Sequence, residues 1–181
     1  MATTDDAENL FFLINKAYFQ LYCQFRREGL EKRLETIDQI HDLMEKGIFL
    51  LITASDRDQS MMGDLCPIAA CVLIHHTATN ELSQQTIDGK TSIEISLLAV
   101  HPNLVKRGIA RYMMQAVEAV AKRLGYTHIF LSALSLSEHV IKMYSHWGFT
   151  VIRMKTLTEE GIDASTFAIP CHIVIMEKKL Q

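Results

Sequence analysis

The sequence predicts a mixed α/β fold, a mixed β-sheet carrying helices on both faces. The second half of the chain alternates strand, helix, strand, helix, strand, while the first half offers strands joined by polar loops. At 181 residues the chain is long enough for one core, so a single domain over residues 1–181 is expected. A doubly wound parallel sheet is the weaker alternative, because it needs crossover helices between the early strands.

Asp5 and Asp6 precede Leu10, Ile14, Tyr18 and Leu21, whose three-to-four spacing predicts an amphipathic helix opened by acidic residues. Almost no strand precedes it. A charged stretch, 26–33, leads to a second helix over 36–46, with Ile37, Ile40 and Met44 on one face and Gly47 as its stop. Residues 48–53 and 67–74 have the composition of adjacent antiparallel strands around a polar connection, 55–64. Another polar connection, 77–91, precedes a central strand, 93–100, apolar enough to be covered on both faces. After Gly108, the positions Ile109, Met113, Val117, Val120 and Leu124 repeat at helical spacing, and Gly125 ends that helix. Residues 127–134 predict a strand. Ser135 and Glu138 have the spacing of a capping box for a helix through Trp147, and Gly148 suits a left-handed C-cap. Strands over 149–154 and 167–176 complete the chain, on either side of a polar segment holding Glu159, Glu160 and Gly161.

A net charge of −3 argues against a general nucleic-acid binder, and 49% apolar with 22% charged residues excludes a disordered or fibrous chain. Cys23, Cys66, Cys71 and Cys171 form no C-x-x-C pair and have no histidine at metal-site spacing, so reduced thiols and no metal are expected. His75 and His76 are adjacent on a strand and point to opposite faces, His101 belongs to a Val-His-Pro turn, and His146 lies off the helix face of Tyr144 without an obvious partner. The acidic N-terminus lacks the build of a secretory signal, and no apolar run approaches the roughly 20 residues of a membrane span. A soluble, cytoplasmic monomer or homodimer is expected.

The chemistry concentrates in residues 92–111, which have the form of an apolar strand, a short turn and a glycine at a helix start. That geometry presents free backbone amides to an anion, and Lys106, Arg107 and Arg111 surround it in a chain that is acidic overall. A glycine there also serves a tight turn alone, and basic neighbours also make a solvated face.

Glu94-Ile95-Ser96-Leu97-Leu98-Ala99-Val100-His101-Pro102, running into Arg107-Gly108-Ile109-Ala110, resembles the acetyl-coenzyme A signature of the GNAT superfamily of N-acetyltransferases. Downstream, Tyr144-Ser145-His146-Trp147-Gly148-Phe149 is similar to that superfamily's Y-x-x-x-G-F. The sequence departs from the pattern at Val105, where the family usually has Arg or Gln, and at Ser137, where it often has Asn.

The resemblance implies a mostly antiparallel mixed sheet and direct transfer of acetyl from acetyl-coenzyme A to an amine. It places the coenzyme against Leu98, Ala99, Val100, Lys106, Arg107, Gly108, Ile109, Ala110, Arg111, Ser137 and Tyr144. The Leu98 N–H, at a bulge of the central strand, becomes the oxyanion donor, Val100 pairs with the pantetheine arm, and Tyr144 becomes the acid for the departing thiolate. Taken by itself, a helical tyrosine such as Tyr144 is more often a packing residue with a wet hydroxyl. Strand period puts Glu94, Ser96 and Leu98 on one face, which aims the Glu94 carboxylate at the oxyanion site as a candidate base; an acceptor-orienting anion or a surface charge is the other reading. Cys71 and Cys171 lie where packing explains them, which disfavours a thiol nucleophile.

In this fold the acceptor is surrounded by the counterparts of 19–46, 77–91 and 156–170, where Glu159, Glu160 and Asp163 form the most compact acidic cluster and would favour a cationic amine. A coenzyme A-binding regulatory or interaction domain without turnover is the alternative from a different class.

Overall fold

The computed structural model describes residues 1–26, 32–53, 68–74 and 92–181. The expectations on 27–31, 54–67 and 75–91, which include Cys66, His75, His76 and both polar connections, lie outside the described residues.

The Asp6 carboxylate accepts from the Thr3 N–H at 2.8 Å and the Thr3 hydroxyl at 3.2 Å, closing a short 3-10 turn over Thr4–Asp6. Helix α1 (Ala7–Phe25) follows and buries Leu10, Leu13 and Ile14 at the predicted spacing. Helix α2 (Asp38–Lys46) buries Ile40, which packs with Leu10 and Ile14. Each fully buried Leu or Ile contributes about 1.5–3 kcal/mol of transfer free energy. The helix stops before Gly47 as expected, though not through a left-handed turn: the φ of Gly47 is −166°, extended backbone that any residue adopts, and it opens strand β1 (Gly47–Ile52).

The remaining elements are β2 (Ala69–Ile74), β3 (Ser92–Val100), α3 (Ile109–Arg123), β4 (His128–Leu134), α4 (Glu138–His146), β5 (Thr150–Thr156) and β6 (His172–Lys179). The described strands form one six-stranded sheet in the order β1-β2-β3-β4-β6-β5. Every neighbouring pair is antiparallel except β3 with β4. The mostly antiparallel mixed sheet that the family resemblance implies is therefore present, with α1 and α2 on one face and α3 and α4 on the other.

The central strand is covered on both faces by an indirect route. Ile93 and Ile95 pack with Met113, Met114 and Val117 of α3, whereas Leu97 and Ala99 pack with Leu10 and Ile14 of α1. The change of face comes from a β-bulge. Register runs Val72↔Ser96 and then Ala70↔Ala99, so Leu97 and Leu98 together oppose Cys71, and Leu97 has φ 51°. Strict alternation therefore fails at Leu98: Glu94 and Ser96 stay on the α1 face, but the Leu98 side chain joins Val100 against the α3 core. The expectation that Glu94, Ser96 and Leu98 share a face is corrected accordingly.

Other boundaries also differ from expectation. Ser135 does not cap α4; its Oγ accepts from the His172 N–H at 3.0 Å and its own N–H donates to the His172 carbonyl at 2.9 Å, tying the end of β4 to the start of β6. The N-cap is Ser137. The last strand starts at His172 rather than at 167, because Pro170 has no N–H to give a ladder; Phe167 makes only an isolated bridge with Arg26. Leu124 is exposed, since α3 ends at Arg123 and the chain reverses through Gly125 at φ 84°. Gly148, at φ 89°, occupies the predicted left-handed position after α4.

Candidate active site

Strands β3 and β4 pair only through Ser92↔His128, Ile93↔Ile129 and Glu94↔Phe130, and then part. The gap is a cleft of about 530 Å³ that passes through the sheet. On the α3/α4 side it is lined by Leu98, Val100, Val105, Ala110, Ser137 and Tyr144; on the α1 side by Tyr18, Tyr22, Arg26, Arg33, Glu94 and Phe167. One apolar core runs beneath α3 and α4. On the opposite face the described residues form two, one around Leu10 and Ile14 and one around Phe25, Phe167 and Ile175.

At the end of β3, a 3-10 turn over Pro102–Leu104 leads to Lys106 at φ 64° and Gly108 at φ 80°, ψ −1°, and α3 begins at the next residue. Two left-handed residues in this short turn fold the chain back so that the unbonded N–H groups of the first helical turn face outward. A Cβ built on Gly108 meets nothing within 4 Å, so the open space there belongs to solvent or a ligand. Lys106, Arg107 and Arg111 are exposed around it, and Val105 is half exposed.

Tyr144 is buried, its ring held edge-on by Trp147 and by Phe149, each at 5.6 Å between centroids. It lines the cleft as well, so packing and access coexist. Ser137 is buried beside it, and its Oγ has no hydrogen-bond partner among the described residues. The parted strands, an orphaned hydroxyl in the cleft and an open glycine turn ringed by cations fit a long thioester carrying phosphates at one end.

The cleft brings together Glu94, Leu98, Val100, Ala110, Ser137 and Tyr144. Lys106, Arg107, Gly108, Ile109 and Arg111 lie in the adjoining turn and helix start rather than in the cleft lining, and the Ala99 side chain is turned away into the α1/α2 core. Tyr18, Tyr22, Arg26 and Arg33 were not singled out as site residues from the sequence. A signal for two of them was present: Tyr18 and Tyr22 stand four residues apart on α1, and Arg26 follows just past its end. The Tyr18 hydroxyl donates to the Leu98 carbonyl at 3.4 Å, so α1 touches the bulge directly.

The acidic cluster expected near the acceptor disperses. Glu159 accepts from the Thr156 N–H at 2.6 Å and the Thr156 hydroxyl at 2.8 Å, bonds that hold its carboxyl below the usual range. Asp163 caps Ser165. Glu160 alone lines the cleft, with the buried Lys155 ammonium 2.7 Å from its Oε1, an ion pair whose angle is not that of a hydrogen bond. His146 does have a partner, the Lys142 carbonyl at 2.6 Å from its Nδ1. Burial pushes the Cys171 thiol up, away from thiolate chemistry. Among the described residues no three His, Cys, Asp or Glu side chains converge, and no described helix is long and apolar enough to cross a membrane.

His101 is structural, as its turn suggested. It is buried, its Nδ1 accepts from the Asn103 N–H at 3.3 Å, and burial, with Lys16 adding, lowers its pKa from 6.5. The unfolded chain thus takes up a proton near pH 6.5 that the folded chain resists, so stability falls as pH drops through and below that value. A His101→Gln protein is expected to show a shallower decline of melting temperature from about pH 7 to pH 5 than the parent. Parallel curves would remove His101 from the acid sensitivity.

A mixed sheet opened between two parallel strands, with a bulge beside the opening and a glycine turn at its end, is the architecture of N-acetyltransferases. The chain belongs to the acetyltransferase (GNAT) family, whose model matches residues 16–149. Solved structures agree at the level of fold. The ribosomal-protein-S18-alanine N-acetyltransferase of Escherichia coli superposes with a TM-score of 0.68 at 11% identity, covering 99% of this chain and 91% of that one. The PaiA N-acetyltransferase of Thermoplasma acidophilum, solved with coenzyme A, gives 0.68 at 16% identity, covering 98% and 95%. A GNAT family acetyltransferase from Elizabethkingia anophelis with acetyl-CoA bound gives 0.57 at 14%, covering 80% and 84%. No curated protein matches this sequence.

Proposed function

We propose that this protein is an acetyl-coenzyme A-dependent N-acetyltransferase that moves the acetyl group directly to a primary amine. The observation that carries this reading is the Leu97–Leu98 bulge at the mouth of the parted strands. A leucine held at φ 51° is a strained backbone position, and strain of this kind persists where the surrounding structure enforces it, often at a site of chemistry. A bulge interrupts the ladder and leaves an N–H without its regular partner, which suits the Leu98 amide to the developing oxyanion. The same reading takes residues 1–181 as one domain, because strands from both halves share one sheet.

On this reading the phosphates lie against the amides of 108–111 with Lys106, Arg107 and Arg111 around them, the pantetheine arm runs along Ala99 and Val100, and the Ser137 hydroxyl donates to it. The acceptor nitrogen, deprotonated with the help of Glu94 directly or through water, attacks the thioester carbon. The C–N bond forms, the carbonyl electrons collapse back, and the C–S bond breaks with its electron pair on sulfur. Tyr144 supplies the proton that makes the free thiol; of the two protons the ammonium nitrogen loses, one leaves through Glu94 to solvent and the other restores the Tyr144 hydroxyl. The products are an amide and coenzyme A.

Release of free thiol from acetyl-coenzyme A across a panel of amines tests the proposal. Acceptor-dependent release is the expected result. Coenzyme binding without release on any acceptor would favour a silent binding domain, the reading to which Val105 and Ser137 lend weight.

A further inference from the structure

Nothing in the transfer step uses Tyr18, although its hydroxyl reaches the bulge from α1. Leu97 and Leu98 share Cys71 as their opposite on β2, and both lie beyond Glu94, the last residue of β3 paired with β4. The ladder therefore fixes neither of them one to one. A φ of 51° is costly for a leucine, so the surroundings of Leu97 must hold it there.

Helix α1 does so at both residues of the bulge. The Leu97 side chain is buried in the core that holds Leu10, Leu13 and Ile14, and one residue further on the Tyr18 hydroxyl donates to the Leu98 carbonyl at 3.4 Å. The peptide that carries the Leu98 N–H thus lies between two points tied to one helix. Tyr18 is itself braced. Its ring is partly buried against the Leu10 and Ile14 core, 5.9 Å from the ring of Tyr22, which is buried one turn further along α1, and the Arg33 guanidinium lies 6.0 Å from its face. An N–H that is to meet developing charge must be held within about 0.5 Å of its place, and packed partners with a fixed hydrogen bond are what hold it.

We propose that Tyr18 is a positioning residue for acetyl transfer. By holding the Leu98 carbonyl, its hydroxyl keeps the N–H of the same residue aimed at the thioester oxygen as negative charge develops there. This rests on the acetyl-transfer reading above.

Tyr18→Phe tests it, because the ring and its packing stay while the hydroxyl goes. Thiol release from acetyl-coenzyme A is measured on two accepting amines of different size and charge, and kcat is expected to fall by about 5- to 10-fold on both, the worth of one neutral hydrogen bond. The KM of each amine and the dissociation constant of coenzyme A stay within about twofold, since the ground state gains little from an N–H aimed at a charge not yet formed. The pH profile of kcat keeps its shape, because Tyr18 carries no proton in the reaction.

A structural hydroxyl would instead prevent folding, or lower the melting temperature with kcat unchanged. A wall contact to the acceptor would raise KM by an amount that differs between the amines, and a proton carrier would cost the profile one of its limbs. Each of these results overturns the positioning role and leaves acetyl transfer standing. Absence of release by the parent with every amine, from protein that binds acetyl-coenzyme A, overturns both.

Discussion

A Gly108→Glu protein is expected to fold and to lose affinity for coenzyme A by about 100-fold or more, the worth of two or more charge-assisted hydrogen bonds. The new side chain meets no protein atom within 4 Å of its Cβ, so nothing in the core is disturbed. Holding a non-glycine residue at φ 80° costs about 1–2 kcal/mol, which a domain with ordinary stability tolerates. The carboxylate, however, enters the open space before the first-turn amides and repels phosphate there. The measurement is the rise of melting temperature with added coenzyme A, which should be present in the parent and absent in the variant. Gly108→Ala separates conformation from charge and should retain most of the rise. An undiminished rise in folded Gly108→Glu would place the phosphates elsewhere.

Tyr144→Phe should lower kcat by about 100-fold or more, the usual worth of a positioned acid, while the coenzyme dissociation constant stays within about threefold. The substitution keeps the ring, so the edge-on contacts with Trp147 and Phe149 survive. A structural tyrosine would give the opposite pattern, a lower melting temperature with turnover little changed. Steady-state kinetics beside a melting curve distinguishes the two. Full turnover in the variant would return Tyr144 to packing alone.

Features written locally in the chain were legible in the sequence. The buried stripe of α1, the helix after Gly108 with its end before Gly125, and the left-handed position at Gly148 depend on spacing and on residue type within a turn or two. The site was legible only in part, and the misses share a cause. A bulge depends on how many residues the neighbouring strand sets opposite, which residues 93–100 alone do not reveal, so the side assigned to Leu98 was wrong. Ser135 and Ser137 are both plausible caps by composition, and the choice was made by His172, 37 residues away. Composition gave the charges of Glu159, Glu160 and Asp163 but not their partners at Thr156, Lys155 and Ser165. Arg26 and Arg33 read only as the ends of a charged stretch, and the aromatic rings beside them in the cleft come from elsewhere in the fold.

The bulge makes β3 a partition with two differently furnished rooms. Before it, Glu94 and Ser96 open toward α1; after it, Leu98 and Val100 face α3. Under the proposed function, acceptor preference and donor recognition would therefore be separately mutable along nine consecutive residues of one strand. A family built on such a divider can diversify what it acetylates by changing one room while the other keeps its furniture.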